Sequence, residues 1–453
     1  MTLDIRRFFR PDLDQLEEYV PVQPLDVLAA EIGVPVGRLV KLDANENLYG
    51  PIPEVVDAIT KADLHIYPDP GSTALREAIA AYAGVGAAQV VAGSGADELI
   101  DLVLRLVQPK AVVDNVPTFG MYSFLAKING GRVVDVARTA GFAVDVAGCE
   151  AAVRAGATVV FVTSPNNPSG NLMPEADLER LLACEAIVVL DEAYVEFSGG
   201  SHVGMLERFP NLVILRTFSK WAGIAGLRVG YSLSHPDLAR PMMAIKQPYN
   251  VNVAGDAAAR SALEHRAVIF ETVRSLVAER ERMSKRLAEL GWLKPLPSRS
   301  NFVLVEVVGR SAKDVAAGLR RQGVLVRYYS RPELKDYIRI SAGRPEDTDR
   351  LIAALRHRAV IVETVKSLVA ERERMRMQLA KLGWLKPLPS QSNFVLVEVV
   401  GRSAKDVAAG LRKQGVLVRY YSRRELKDYI RISAGRPEDT DRLIAALLAL
   451  EAA

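Results

Sequence analysis

Cysteine is nearly absent from this chain of 453 residues: Cys149 and Cys184 are the only two, and they form no CxxC pair. That excludes a disulfide scaffold and a cysteine-built zinc site, and it fits a reducing compartment, so a cytoplasmic location is expected. Histidine is scarce as well, with five residues and no HExxH spacing, so no metal is expected. No apolar run approaches the ~18 residues of a membrane span. The opening MTLDIRRFFRPDLDQLEEYV mixes acids with arginine and lacks the apolar core of a signal peptide. No membrane partner is expected. Neither sign of charge dominates, with 58 Lys+Arg against 54 Asp+Glu and a net +4. Apolar residues, in contrast, make up 49% and charged residues 25%. That composition is ordinary for a globular protein and excludes disorder as the dominant state. At ~100–200 residues per domain, the length implies about two to four domains.

The largest feature is an internal repeat. Residues 265–355 recur at 357–447, an offset of 92, with nine differences: Phe270/Val362, Arg274/Lys366, Ser284/Arg376, Lys285/Met377, Arg286/Gln378, Glu289/Lys381, Arg299/Gln391, Arg321/Lys413 and Pro332/Arg424. Solenoid units are shorter and drift in sequence. Such near-identity reads as a recent or engineered duplication of one whole module, and a chain with one copy would have 361 residues. The copies carry net charges of +7 and +8, which leaves −11 for the rest. Their basic residues stand in helical stretches beside acids, as in AERERM, with no nucleic-acid motif, so no nucleic acid is expected as partner.

Upstream of the repeat, apolar runs alternate with helical periodicity. VVFVTSP (159–165), AIVVLDEAY (186–194), NLVILRTF (211–218) and LRVGYSL (227–233) read as buried strands, and 73–84 and 96–107 as helices. This pattern predicts an α/β fold with a parallel or mixed sheet covered on both faces. Ligands in such folds bind beyond the carboxyl ends of the strands. The repeated module reads as a long helix (about 265–290), the strand NFVLVEVV, the helix AKDVAAGLRRQ, the strands VLVRYY and YIRISA, and a closing helix. That is a small α+β domain.

Polar residues stand where strands end. Asp191 ends AIVVLD, Lys220 follows NLVILRTFS, SPNNPSG follows a third strand, and GSGADEL places glycines before a helix whose free amides suit a phosphate. Taken singly, each has a plainer reading as a cap, a surface lysine, a turn or a helix entry. Together they are far more specific. With LDANENLYGP (42–51), IYPDPG (66–71), GSGADELI (93–100), PTFGMYSF (117–124), VLDEAYVEF (189–197), RTFSKWAGIAGLRVG (216–230) and YIRISAG (337–343), the chain resembles the fold-type-I pyridoxal-phosphate aminotransferases. Within them it resembles the histidinol-phosphate aminotransferase family.

The resemblance implies a large domain with a mostly parallel seven-stranded sheet covered by helices, and a small α+β domain, here in two copies. The expected boundaries are an N-terminal arm and small-domain contribution (1–45), the large domain (46–264), copy one (265–356) and copy two (357–453). It implies pyridoxal 5′-phosphate as cofactor, linked to the Lys220 amine, which then moves protons. Asp191 would keep the pyridine nitrogen protonated. Tyr194 and Asn167 would hydrogen-bond the phenolic oxygen. Phe119 would stack on the ring, where the family more often has Tyr. The backbone amides of Ala96 and Asp97, with Ser219, Arg228 and Thr217, would hold the phosphate. Tyr67 would reach the phosphate of a neighbouring subunit, which makes a homodimer necessary. Arg339 would grip a substrate carboxylate and Arg327 a substrate phosphate, with Tyr19 and Asn47 at the same mouth.

The implied reaction converts L-histidinol phosphate and 2-oxoglutarate into imidazole-acetol phosphate and glutamate. An aromatic amino acid aminotransferase and a threonine-phosphate decarboxylase are alternatives of the same fold. A duplication that serves assembly, with its chemistry lost, is an alternative of another class. Arg431 of copy two duplicates Arg339. Copy one has the ordinary connection and keeps Pro332, so Arg339 is expected at the site. Copy two is expected to follow through one continuous helix, since Leu355, Arg356 and His357 join two helices without Gly or Pro. In the competing arrangement the two copies exchange places.

Overall fold

Runs of valine, isoleucine and leucine too apolar to alternate become the interior strands of one large sheet, because both of its faces are covered. The computed structural model describes residues 4–11, 13 and 23–452, the side chains of 357–366 and 452 excepted. After β1 (Val40–Leu42), which joins another sheet, come β2 (Val90–Gly93), β3 (Ala111–Val116), β4 (Arg132–Ala137), β5 (Val159–Thr163), β6 (Ile187–Asp191), β7 (Leu212–Thr217) and β8 (Gly230–Ser234). They form a seven-stranded sheet in the order β2-β8-β7-β6-β5-β3-β4. The chain runs parallel from β7 to β4, and β8 is antiparallel to both neighbours. Alternate residues serve opposite faces: Val188, Leu190, Leu212 and Ile214 belong to one apolar core, Val189, Val213 and Leu215 to the other.

The run 227–233 starts later as a strand than its apolar content suggests. Ala225–Leu227 form a turn of 3₁₀ helix, and Arg228 takes a left-handed φ of 55° before β8 begins at Gly230. This turn brings the Arg228 guanidinium back to Asp97, at 3.0 Å. The helices Thr73–Ala83 and Gly95–Val107 lie where periodicity places them.

A five-stranded sheet follows, built from β9 (Leu293–Pro295), β10 (Phe302–Val307), β11 (Val324–Tyr328) and β12 (Tyr337–Ser341), with β1 parallel to β11 at its edge. All of this lies in the compact unit Met1–Ala354; Leu355–Ala453 is a second unit. In the second unit β13 (Leu385–Pro387), β14 (Phe394–Val399), β15 (Arg419–Tyr420) and β16 (Tyr429–Ser433) form a four-stranded antiparallel sheet. One helix is continuous from Pro345 to Leu379, as expected of a stretch with no Gly or Pro after its first residue. Nearly identical sequences differ in burial. Phe302, Val303, Leu304 and Val305 are all fully buried, whereas in β14 only the alternate residues Val395 and Val397 are, and Phe394 and Leu396 are half-buried.

The end of β6 is pinned from the face opposite Asp191. Glu192 there takes hydrogen bonds from Arg216 Nε (3.0 Å) and Nη2 (2.9 Å), from Ser201 Oγ and from the His202 amide. Glu192 and Arg216 are 1% and 5% exposed in their side chains. Burial alone would raise the Glu192 pKa, but the His202 hydrogen bond and the Arg216 charge outweigh it and hold the pKa below the usual range. Replacing Glu192 with Ala leaves Arg216 buried without its partner and should cost about 3–5 kcal/mol in denaturant unfolding. Because the folded pKa is lowered, the wild-type contribution is complete above the ordinary carboxylate pKa and is lost as pH falls through the lower folded value. Comparing wild type and Glu192→Ala across pH checks both.

Candidate active site

The carboxyl ends of the parallel strands place the polar residues together. Asp191 is the last residue of β6, and Thr217 the last of β7. Thr217 Oγ1 accepts from the Ser219 amide at 3.1 Å and so caps the short helix Phe218–Trp221 that carries Lys220. β5 leads to Asn167, β3 to Phe119, and β2 to the helix Gly95–Val107. Ala96, Asp97, Phe119, Asn167, Asp191, Tyr194, Thr217, Ser219, Lys220 and Arg228 line one cavity of about 360 Å³, with Glu46, Thr163 and Gly226 among its other walls. A second cavity of about 350 Å³ shares Phe119, Asn167, Tyr194 and Lys220 and adds Arg327, Arg331 and Arg339.

One end of the first cavity is built for an anion. The helix Gly95–Val107 begins there, with free amides and the positive end of its dipole. Glycine is needed for this close packing. A Cβ on Gly95, which has φ +79°, would lie 2.5 Å from Arg228 Nη2, and one on Gly230 would lie 2.7 Å from Ala96 N. Thr217 Oγ1 donates to Ser219 Oγ at 2.9 Å.

The floor is Asp191, 4% exposed. Its Oδ1 accepts from the Ala193 amide at 2.9 Å and its Oδ2 from the Tyr122 hydroxyl at 2.5 Å. Burial pushes its pKa up to about 6, against these two hydrogen bonds. Tyr122 is itself packed on Phe161, with ring centroids 4.9 Å apart. Lys220 Nζ lies 3.4 Å from the Ala44 carbonyl and 6.0 Å from the Tyr194 ring centre. Desolvation, with the Arg339 charge next, pushes the amine down to about 8.

Asn45 sets the direction of the Tyr194 hydroxyl. Its Nδ2 donates to the Tyr194 oxygen at 2.9 Å, which leaves the tyrosine proton to be given elsewhere. Asn45 is held by Ser341 Oγ, which donates to its Oδ1, and by Asn301 Nδ2, which donates to its carbonyl. Its left-handed φ of 54° suits asparagine better than most residues. Burial pushes the Tyr194 pKa up to about 12, against the nearby Arg339 charge. Arg339 is 6% exposed; Nη1 donates to Asn167 Oδ1 at 2.7 Å, Nη2 to the Asp43 carbonyl, and Nε has no partner among the described residues.

The aminotransferase class I and II family model matches residues 38–355 and again 356–447. The histidinol-phosphate aminotransferase of Roseiflexus castenholzii is 46% identical over 368 residues, covering 79% of this chain and 99% of that protein. The chloroplastic histidinol-phosphate aminotransferase 1 of Arabidopsis thaliana is 45% identical, covering 77% and 85%. Among solved structures, the histidinol-phosphate aminotransferase from Sinorhizobium meliloti in complex with pyridoxal-5′-phosphate superposes with a TM-score of 0.70 at 31% identity, covering 77% of this chain and 96% of that one. The chain belongs to the histidinol-phosphate aminotransferase family. It is thus an α/β aminotransferase of fold type I, with mixed sheets.

Four residues named from the sequence lie elsewhere or are not described. Asn47 lines neither cavity: its side chain is spent on the Trp221 carbonyl and the Tyr49 amide, which hold the loop. Tyr67 is 79% exposed, stacked on Tyr249 at 4.7 Å, and lines neither cavity within its own chain. Arg431 is in the second unit, over the Phe394 ring at 5.0 Å. Tyr19 lies outside the described residues. Sequence reasoning missed Tyr122 and Asn45, although both stand inside motifs that carry the resemblance, PTFGMYSF and LDANENLYGP. Among the described residues no acid, His and Cys cluster is placed to hold a metal, and no helix is long and apolar enough to cross a membrane.

If Lys220 sits in this desolvated, cation-flanked position, competitive acylation of cofactor-free protein should give it a midpoint near 8. Exposed lysines should show the ordinary ~10.4. Arg339→Ala removes a neighbouring positive charge and should move the Lys220 midpoint upward, read peptide by peptide in mass spectrometry.

Proposed function

We propose that the protein transfers the amino group of L-histidinol phosphate to 2-oxoglutarate with pyridoxal 5′-phosphate, giving imidazole-acetol phosphate and glutamate. The observation that carries this is the convergence of Lys220, Asp191 and the start of the helix Gly95–Val107 on one cavity. The donor set fits the cofactor. A buried carboxylate without an ion-pair partner among the described residues suits a protonated ring nitrogen, and the helix start with Ser219 and Arg228 suits a phosphate.

When bound, the cofactor supplies an aldehyde for the amino group and a ring that withdraws electrons from the substrate α-carbon. The chain's own residues do the rest. With its pKa near 8, a useful fraction of Lys220 is neutral at physiological pH, able to attack a carbonyl and then to take and return a proton at the substrate carbon. Asp191 holds the positive charge on the ring nitrogen, and Tyr122 and the Ala193 amide hold Asp191 in place. Tyr194, its oxygen occupied by Asn45, has its hydroxyl proton left for the ligand. Phe119 offers a ring face, and Asn167 is positioned by Arg339. Arg339 suits a carboxylate of 2-oxoglutarate or glutamate. Arg327 and Arg331 add cations in the second cavity for the phosphate of the amine donor, which favours histidinol phosphate over phenylalanine.

Tyr67, exposed in its own chain, is assigned to a neighbouring subunit's phosphate site, so the working form is a homodimer. Residues 357–447 are read as a second copy of the small domain. Support comes from the repeat and from curated relatives that are covered almost completely by 368 aligned residues. Copy one is assigned to the active site, because Arg339 stands in the cavity beside Lys220.

Glutamate formation from 2-oxoglutarate, with histidinol phosphate, phenylalanine or threonine phosphate offered, tests the substrate assignment. Histidinol phosphate should give the highest kcat/KM; a preference for phenylalanine, or carbon dioxide release from threonine phosphate, overturns it. Arg339→Ala should cut kcat/KM by about tenfold to a thousandfold, the loss expected from a charge-assisted contact. Arg431→Ala should change it little. Reversed effects would place copy two at the site.

A further inference from the structure

The two occurrences of the repeated sequence meet different surroundings. In the first, β1 covers the outer edge of β11 in parallel, with Val40 opposite Val324, Lys41 opposite Leu325 and Leu42 opposite Val326. The Val40 amide donates to the Gly323 carbonyl at 2.8 Å. The chain leading to β1 is held too. Arg320 Nη2 donates to Gln23 Oε1 at 3.1 Å and pairs with Glu31, and Arg350 donates to the Arg38 carbonyl. Leu28 and Ala29, on the helix Leu25–Ile32, are 3% and 8% exposed. Under this cover Leu325 is 4% exposed.

Ninety-two residues on, the same groups recur as Arg412, Gly415, Val416–Val418 and Arg442. Among the described residues nothing covers them. Val416–Val418 belongs to no strand, β15 shrinks to Arg419–Tyr420, and Leu417 is 79% exposed. Among the described residues neither the Arg412 nor the Arg442 side chain has a hydrogen bond or ion pair. A half-formed edge strand with an exposed leucine is a template for another strand.

We propose that this edge of the second unit is an acceptor for the segment Gln23–Leu42 of a second copy of this chain. The segment's complementarity is displayed in the first unit. Its Val-Lys-Leu strand would pair with Val416–Val418 in the parallel register of β1 on β11, its Glu31 would meet Arg412, and its Arg38 carbonyl would meet Arg442. The two acceptors differ only at Arg321/Lys413 among the residues nearby, so moving the segment from one chain's first acceptor to another chain's second exchanges like contacts for like. Each chain has one such segment and two acceptors. Its own first acceptor sees the segment at an effective concentration of order mM. Linked chains therefore build up only as protein concentration approaches that range, while a free segment meets an open acceptor at any concentration.

The test is a fluorescein-labelled peptide of residues 23–42, titrated with the full chain and followed by anisotropy. Saturation at one peptide per chain is expected. Leu417→Asp should weaken it about tenfold or more, the size expected when a leucine loses its burial. Arg412→Glu should weaken it too, and a peptide carrying Glu31→Arg should restore binding to that variant. Circular dichroism and unaltered aminotransferase turnover verify that the variants fold. Absence of saturable binding at mM peptide, or binding indifferent to Leu417→Asp, overturns the proposal. So does a dimer that forms through Val416–Val418 and ignores the peptide.

Discussion

A carboxylate buried at the end of a central strand is the constraint around which the candidate site is arranged. Asp191 has lost its water, and its two donors, the Tyr122 hydroxyl and the Ala193 amide, do not offset that loss, so its pKa rises. A cation placed beside such a group favours its charged form and lowers its pKa again. The fold holds it there by force from elsewhere: β6 is flanked by β5 and β7, and the next residue, Glu192, is locked to Arg216 on the opposite face. Lys220 meets the complementary difficulty. It too is desolvated, and the charge that acts on it most strongly is the cationic Arg339. One buried acid and one buried base, each pushed toward neutrality, share a cavity that is also lined by the first turn of the helix Gly95–Val107.

The repeat shows how far context, rather than sequence, decides burial. Phe302 is fully buried and its counterpart Phe394 only partly; Leu325 is covered and Leu417 exposed. Three strands correspond one to one, β9 with β13, β10 with β14 and β12 with β16, and the internal packing is shared, seen in the complete burial of both Val303 and Val395, whereas β11 shortens to the two residues of β15. What differs is which residues from outside the module lie against its second face and its edge.

Much of this was legible in the residues alone. Continuous apolar runs such as VVFVT and LVILRT point to parallel strands covered on both sides, and strand ends are where such folds bind ligands. Most of the cavity follows from that rule together with the family resemblance. The rest depends on long-range packing. Nothing local says that Tyr122, the second residue of its helix, reaches Asp191, or that Asn45 turns the Tyr194 hydroxyl, because these pairs are 69 and 149 residues apart. Asn47 and Asn45 are equally polar and two residues apart; only the fold shows that one is spent on the Trp221 carbonyl and the other faces the second cavity. The late start of β8 likewise reflects the return of Arg228 to Asp97, which periodicity does not encode.

Which lysine bears the cofactor decides whether this cavity is the active site. Lys246 is the instructive competitor: it is 8% exposed, but its amine is spent on the Pro70 carbonyl and on Asn250 Oδ1. Protein loaded with pyridoxal phosphate, reduced with borohydride, digested and mapped by mass spectrometry should carry one pyridoxyl group per chain, on the peptide containing Lys220. A label on Lys246 or any other lysine, or no label at all, would contradict the site described here.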